Sequence, residues 1–382
     1  MKYPRLARRR GNILGMTLLL MVVLIAFVAL AVDVGFLYTM RTELQRTADA
    51  AAIAACWELI DQDGAPGAET TNGLTIDARN KATQFAGLNM VGNTAPGLAT
   101  EDVKVGYIAD PADPNQPMVS TPAGKRPNSV YVRVQRTNDQ NGQVSLFFAR
   151  AIGLAQQSVI AEATAAIRGG VIGWKMPGDG TNLGILPFAL DVGTWDNLAT
   201  YGNDTFSYNT STQTVSRGPD GINEVNLYPE AGTGMPGNRG TIDLGNPANS
   251  TSDLERQVLY GLNTDDLSFM GGTIQFNGDG VLKIQGDTGI SAGLSDELLQ
   301  IVGQPRILPL FDNVVGPGNN AEYSIVRWVG VRVMGVKLSS TATNKYVRVQ
   351  PCNVVMKGGI YSTTGETVHG GDYIFSPVWL CR

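Results

Sequence analysis

The sequence predicts a membrane-anchored α+β protein: an N-terminal transmembrane helix extended into a long helix, then an α+β domain with an antiparallel sheet, then a mainly β domain. Three observations carry that prediction. Residues 11–32 run for 22 positions without a charged side chain, and residues 13–32 alone supply the ~20 that a helix needs to cross a bilayer. Apolar residues then continue in steps of three and four through Phe36, Leu37, Met40, Leu44, Ala48, Ala51 and Ala55, the period of one helix face. Beyond residue 60 the pattern changes to short stretches of period-two alternation between turn formers, which marks half-buried strands.

Composition bounds the function. A chain of 382 residues is long enough for two domains of ordinary size. With 16% charged residues, 46 glycines and 19 prolines in no fixed period, it is neither a collagen, a coiled coil nor a highly charged disordered protein. The single histidine, His369, excludes a multi-histidine metal site. Net charge is −5, but Lys2, Arg5, Arg8, Arg9 and Arg10 all fall in the first ten residues, leaving 24 positive against 34 negative charges in the remainder. An acidic body argues against nucleic acid, because phosphate neutralisation needs clustered lysine and arginine.

Residues 1–12 form a basic leader, residues 13–32 the transmembrane helix and residues 33–60 its Ala-rich extension. Basic residues before the apolar run, with Asp33 directly after it, orient a single-pass inner-membrane protein. Its N-terminus is cytoplasmic and its C-terminal part periplasmic or extracellular. A cleaved secretory signal is the alternative, since Ala29 and Ala31 have the small-x-small form that signal peptidase accepts. The apolar run is longer than the usual h-region of a signal, and the helical pattern continues past that cut. As one helix, residues 13–60 would be roughly 72 Å long at ~1.5 Å per residue. Residues 47–55 are mostly alanine, whose small side chain favours the helix and admits close approach of another helix. Self-association through this face and packing on the chain's own domain both remain open.

Here the residues resemble a known family. Arg9, Arg10, Gly11 and Asn12 precede the apolar helix, and Val32, Asp33, Val34, Gly35, Tyr38, Arg41, Leu44, Gln45, Ala48, Asp49, Ala50 and Ala51 follow it. This is similar to the N-terminal signature of TadG-like proteins of the Tad (tight adherence, Flp-type) pilus assembly systems. The resemblance implies an accessory or minor structural component that is not an enzyme, with the membrane and pilus or secretion-system proteins as partners. It singles out Arg9, Arg10, Asp33, Gly35, Arg41, Gln45 and Asp49 for membrane orientation and helix packing. Related TadE-type minor pilins are processed at a glycine and carry glutamate five residues later; here Met16 holds that position after Gly11. That departure favours a permanently anchored protein.

Residues 61–170 read as the α+β domain. Residues 61–75 are turn formers that end the long helix. Residues 77–90 read as a helix with Ala78, Ala82, Phe85 and Ala86 on one face, residues 103–107 and 130–135 as strands, and residues 110–127 as a loop. Residues 147–153 read as a short helix closed by Gly153, and residues 158–167 as a strand. Helix, strand, strand, helix, strand, without a βαβ rhythm, fits an antiparallel sheet with helices on one face. The 130–135 strand with Phe147, Phe148, Ala149, Ile152 and Gly153 again resembles TadG-like proteins.

Residues 171–382 read as the β-rich domain. One short helix is expected, opened by Ser295 as its cap. Strands are expected at 306–311, at 323–338 interrupted by Gly330 and Gly335, and at 345–349, with a hairpin turn at 339–344. Residues 237–240, 245–247, 309–312 and 320–326 are similar to the region behind the anchor in many TadG-like proteins.

Catalytic and ligand motifs are weak. Gly289, Ser291 and Gly293 spell G-x-S-x-G, with Asp312 and His369 following in the order of a hydrolase triad, so an anchored or secreted serine hydrolase using Ser291 and His369 is one alternative. A nucleophile elbow needs a strand running into the motif and a helix leaving it at once, whereas the helix cap here is Ser295 and the flanking sequence shows no series of βα units. Gly232, Gly234 and Gly237 match a dinucleotide fingerprint in letters only, with Pro236 inside. No cofactor is implied, and no phosphate-binding loop of the assembly-motor type occurs. Asp179, Asn182, Asn277, Asp279 and Asp287 sit in turns that could ligate calcium, making a calcium-dependent surface adhesin the second alternative. They lack EF-hand spacing and suit left-handed turn geometry, so no metal site is expected. Asp266, Ser268 and Met270 fall short of the D-x-S-x-S string of the von Willebrand A modules found in some TadG-like proteins. Cys352 and Cys381, 29 positions apart, are expected to pair in an exported compartment, which would stabilise by about 3–4 kcal/mol. Cys56 is left over, either buried as a small apolar residue or available for an intermolecular bond.

Overall fold

The computed structural model describes residues 13–60, 70–228, 240–246, 250–288, 290–316, 321–339, 345–362 and 372–381. The chain divides into two compact units. The first comprises Met1–Ala54, Arg79–Lys104 and Tyr131–Thr164; the second comprises Ala55–Ala78, Val105–Val130 and Ala165–Arg382.

The long helix is present as one piece, α1 (Ile13–Trp57), closed by a 3-10 turn at Glu58–Ile60. Its first twenty residues lack a buried side chain; burial begins at Asp33 and continues through Met40, Leu44, Ala48, Ala51 and Ala55, the steps expected from the sequence. The next helix, α2 (Thr71–Leu88), starts six residues before the expected Asp77. The reason is Thr70, whose hydroxyl accepts a bond from the Gly73 N–H at 3.1 Å and so satisfies one of the unpaired donors of the first turn. Ala78, Ala82 and Ala86 are buried on one face of α2, as expected, while Phe85 is only half-buried.

Strands β1 (Val103–Gly106), β2 (Ser129–Arg136) and β5 (Val159–Ala166), each with part of its length in the first unit, lie side by side in that order. A short ribbon of β3 (Val144–Ser145) and β4 (Gln156–Gln157) carries at its tip a 3-10 turn, Ala149–Ile152, closed by Gly153 in the left-handed conformation. Beneath the sheet's polar rim, the carboxylate of Asp102 is fully buried. It accepts from the Ala99 N–H at 2.8 Å, Arg133 Nε at 3.0 Å and Gln140 Nε2 at 2.7 Å.

The second unit is mainly β. Its strands are β6 (Val171–Lys175), β7 (Phe188–Asp191), β8 (Phe206–Asn209), β9 (Thr214–Arg217), β10 (Val225–Asn226), β11 (Gly240–Ile242), β12 (Thr273–Gln275) and β13 (Leu282–Thr288). They are followed by β14 (Pro305–Val315), β15 (Ala321–Lys337), β16 (Tyr346–Pro351), β17 (Val354–Val355), β18 (Gly359–Tyr361), β19 (Ile374–Phe375) and β20 (Trp379–Leu380). The principal sheet has the order β10-β16-β15-β13-β11-β7-β14, and β14 also pairs with β15. The strands β15, β13, β11, β7 and β14 therefore close into a five-stranded ring. All its pairings are antiparallel except β7 with β14. Alternation along β7 sends Phe188 and Leu190 into one apolar cluster and Ala189 into the other, as the two faces of a strand require.

Three sequence expectations change here. Instead of one short helix, the second unit has α3 (Val192–Asp196), α4 (Leu198–Tyr201), α5 (Thr251–Tyr260), α6 (Thr264–Phe269) and α7 (Ser295–Gln300). Ser295 begins α7 but does not cap it. The N-cap is Leu294, and the capping hydroxyl nearby belongs to Ser291, which accepts from the Gly293 N–H in the preceding 3-10 turn. The strand through Gly330 and Gly335 is not interrupted; β15 is continuous with a register shift between Val333 and Gly335. A Cβ at Gly330 would collide with the carbonyl oxygens of Cys352 and Tyr373, so glycine is there because other backbone lies against the strand. The β15–β16 hairpin is as expected, with Lys337 opposite Tyr346; residues 340–344 of its turn lie outside the described residues.

Candidate membrane-anchor site

The anchor helix is bare over its apolar part. The most apolar window of α1 has a mean hydropathy of 3.0 and none of it is buried in the protein. Leu14 is 82% exposed and Phe27 66%. Apolar side chains in that number are not left against water, and among the described residues this is the one helix long and apolar enough to cross a membrane.

The first residue after that stretch is Asp33, which is only 3% exposed. Its carboxylate accepts three successive backbone donors from the β3–β4 tip: Phe147 N–H at 2.7 Å, Phe148 N–H at 3.0 Å and Ala149 N–H at 2.6 Å. These amides open the Ala149–Ile152 turn, whose own N-cap, Phe148, supplies no side-chain acceptor. Asp33 does the capping from another element. The Phe36 ring, one turn further along α1, meets Phe147 edge to face at 5.1 Å. Sequence reasoning singled out Asp33 but missed its partners. The readable signal was a short helix of Phe and Ala residues with no local cap.

Twelve residues on, Gln45 donates to Asp49 Oδ1 at 2.9 Å and to the Glu162 carbonyl of β5 at 2.8 Å. Gln45 and Asp49 therefore act together to hold α1 against the sheet of the first unit. Glu43 adds a bond from the Gly92 N–H at 2.7 Å. Arg41 is exposed, and a Cβ at Gly35 would meet nothing within 4 Å, so packing in the chain does not demand glycine there. Arg9 and Arg10 lie outside the described residues. The alanine face suggested for self-association is occupied: Ala48, Ala51, Ala52, Ala54 and Ala55 are buried within the chain itself. The reading of a helix packed on its own fold is the one the structure adopts, because small side chains bring the helix close to its sheet.

The other candidates are engaged elsewhere or lie apart. Ser291 caps a turn, Asp312 is exposed, and Gly289 and His369 are outside the described residues, as are Gly232, Gly234 and Gly237. The Asp179 carboxylate takes Lys357 Nζ at 2.6 Å and the Thr181 hydroxyl at 2.8 Å, which hold it well below the usual carboxylate range. The side-chain oxygen of Asn277 accepts the Asp279 and Val281 amides, and Asn182, Asp279 and Asp287 join no acidic cluster; among the described residues no group of three or more potential metal ligands occurs. Asp266 is bound by Arg256 at 2.6 and 3.0 Å and closes a capping box with Asn263. Cys352 is a buried thiol whose Sγ lies 3.2 Å from Arg332 Nη2; burial pushes it up and the arginine opposes. Cys381 is half-buried, and it and Cys352 are not joined in the structure. Cys56 is fully buried, the first of its two readings.

Residues 11–65 match the family described as Flp pilus-assembly TadE/G-like, and residues 46–165 match the family described as Tad-like Flp pilus-assembly. Over residues 11–165 the chain is similar to TadE/G-like Flp pilus-assembly proteins. No curated protein and no solved structure matches the chain. The matched region contains α1, α2 and all of β1–β4, and so holds Asp33, Gln45, Asp49 and the three amides that Asp33 caps. The closed β ring of the second unit lies beyond it.

Proposed function

We propose that this TadG-like chain is a single-pass inner-membrane protein that serves Flp-type pilus assembly as a non-enzymatic accessory or minor structural component. Its basic leader stays in the cytoplasm, residues 13–32 span the bilayer, and the β-rich part beyond is exported and presented to pilus or secretion-system proteins. The organisation follows the sequence: leader 1–12, span 13–32, Ala-rich helix 33–60, an α+β region over 61–170 and a β-rich region over 171–382.

The observation that supports this reading is the division of α1: residues 13–32 are apolar without one buried side chain, and the face that begins at Asp33 and continues through Met40, Leu44 and Ala48 is buried by the chain's own fold. An apolar stretch of that length, left uncovered by protein, suits the interior of a bilayer. The test combines alkaline extraction of membranes, protease treatment of spheroplasts and mass spectrometry of the mature N-terminus. The expected result is an integral protein with its intact start, from which external protease removes everything beyond the helix. A chain released into the soluble fraction, or one beginning at Val32, would overturn the anchor; one beginning at Asn12 would mean pilin-type processing. Loss of surface pili on deletion of the chain, restored by the full chain, tests the assembly role.

A further inference from the structure

The tip of the β3–β4 ribbon is the most conspicuous unexplained surface outside the apolar helix. Phe147 is 58% exposed, Phe148 50%, Ile152 79% and Leu154 57%. Four large apolar side chains within eight residues, around a single charge, Arg150, do not face water without reason. Their position is fixed. The Asp33 carboxylate binds the backbone of residues 147–149, and Asp33 is the residue next to the membrane-spanning run. Phe36 packs on Phe147 as well, and further hydrogen bonds from α1 come further along, at Glu43, Gln45 and Thr47. From Asp33 to Gln45 is roughly 18 Å along the helix axis, so the tip is at the membrane-proximal end of this unit.

We propose that residues 147–154 dip into the interfacial layer of the bilayer beside the transmembrane helix, as a second, shallow membrane contact that Asp33 holds in place. The inference rests on the anchor reading and extends it. The composition suits that layer. Aromatic and aliphatic side chains enter the region of the acyl boundary, and Arg150, exposed, with its Nε donating to the Leu146 carbonyl at 3.3 Å and Asp33 as the acid near it, lies at the level of the lipid phosphates. Tyr38, 74% exposed one further turn out, is an aromatic of the type that settles at such interfaces. Two contacts side by side do what one helix cannot: they prevent the exported part from swivelling about the helix axis.

The test uses the full chain reconstituted in vesicles of phosphatidylethanolamine and phosphatidylglycerol, with the native cysteines replaced and one nitroxide placed at a time. Ile152→Cys reports the tip, Leu24→Cys the helix, and Thr83→Cys an exposed site on α2. All three side chains are exposed, so labels there leave the core untouched. The expected result is a ratio of oxygen to nickel-complex collisions at position 152 several-fold above that at 83 and below that at 24. In the unsubstituted chain, a lipid-phase carbene reagent should label residues 147–154 as well as residues 13–32. If position 24 reads as buried in lipid while position 152 matches position 83 and the carbene spares the tip, the proposal is overturned, the anchor stands, and the tip becomes a face for a protein partner. If position 24 also reads as aqueous, the anchor itself has failed.

Discussion

Placing arginine in the apolar half of α1 tests the anchor without touching the fold. Leu20 is 58% exposed and Leu24 56%, and neither contributes to a protein core, so a charge there is felt by the membrane alone. Residues 13–32 contain thirteen Leu, Ile, Val or Phe side chains, worth about −4 to −8 kcal/mol of insertion free energy at most, since those near the ends count for less. One Leu→Arg change removes about 0.5 kcal/mol of that and adds about 3 kcal/mol, which leaves insertion favourable. Leu20→Arg with Leu24→Arg shifts the balance by about 6–8 kcal/mol and brings it to zero or beyond. Alkaline extraction and glycosylation-site mapping in a translocation assay read the outcome. Each single variant should remain integral and the double variant should not. A double variant that still inserts with the same topology, or a single variant that is fully released, would refute the arithmetic, and an unsubstituted chain found in the soluble fraction would refute the anchor.

Three further outcomes follow from the packing. Asp102→Ala removes the acceptor shared by Ala99, Arg133 and Gln140 and should cost about 2–3 kcal/mol in urea titration, Asp102→Asn less, because a neutral acceptor remains; equal effects would sink the charge argument. Burial and the neighbouring Asp287 raise Asp243 to about 6. Its folded value exceeds the unfolded one, so the stability its neutral form supplies is complete below about pH 4 and is lost as pH rises through 6. Asp243→Asn should therefore stabilise above pH 7 by on the order of 1 kcal/mol, after solvent screening, and by less in acid; a gain that does not vary with pH would count against it. Gly330→Ala drives a methyl group into two carbonyl oxygens and should lower the melting temperature by an amount equivalent to about 3 kcal/mol, whereas Gly35→Ala, in open space on a helix, should be neutral or stabilising by up to about 1 kcal/mol. Similar effects at the two positions would contradict the packing argument.

What the sequence made legible was local. The apolar stripe of α1 and the β15–β16 hairpin follow from periodicity and a short turn, so both could be read from neighbouring residues. The helix α5 was also encoded locally, by Ser250 as cap, Asp253 in its first turn and the buried Leu254, Gln257 and Val258, but its apolar positions are few and its surroundings polar. The parallel pairing of β7 with β14 joins Leu190 to Leu310, 120 positions apart, and nothing in four residues of β7 names such a partner. The site follows the same rule. Asp33 stood out as a charge at the end of an apolar run, yet its significance depends on amides 114 to 116 positions away, and backbone donors leave no trace in residue identity.

Closure of the ring β15-β13-β11-β7-β14 bears on how this sheet meets other chains. An open sheet offers unpaired N–H and C=O groups along its outer strands, which invite strands of other molecules to add on. Here β14 has neighbours on both sides, and the sheet that branches from the ring ends at β10, two residues long. Because β14 is flanked by both β15 and β7, this sheet ends on a two-residue strand instead of a long one, and a strand from another chain has only a short edge there to add to.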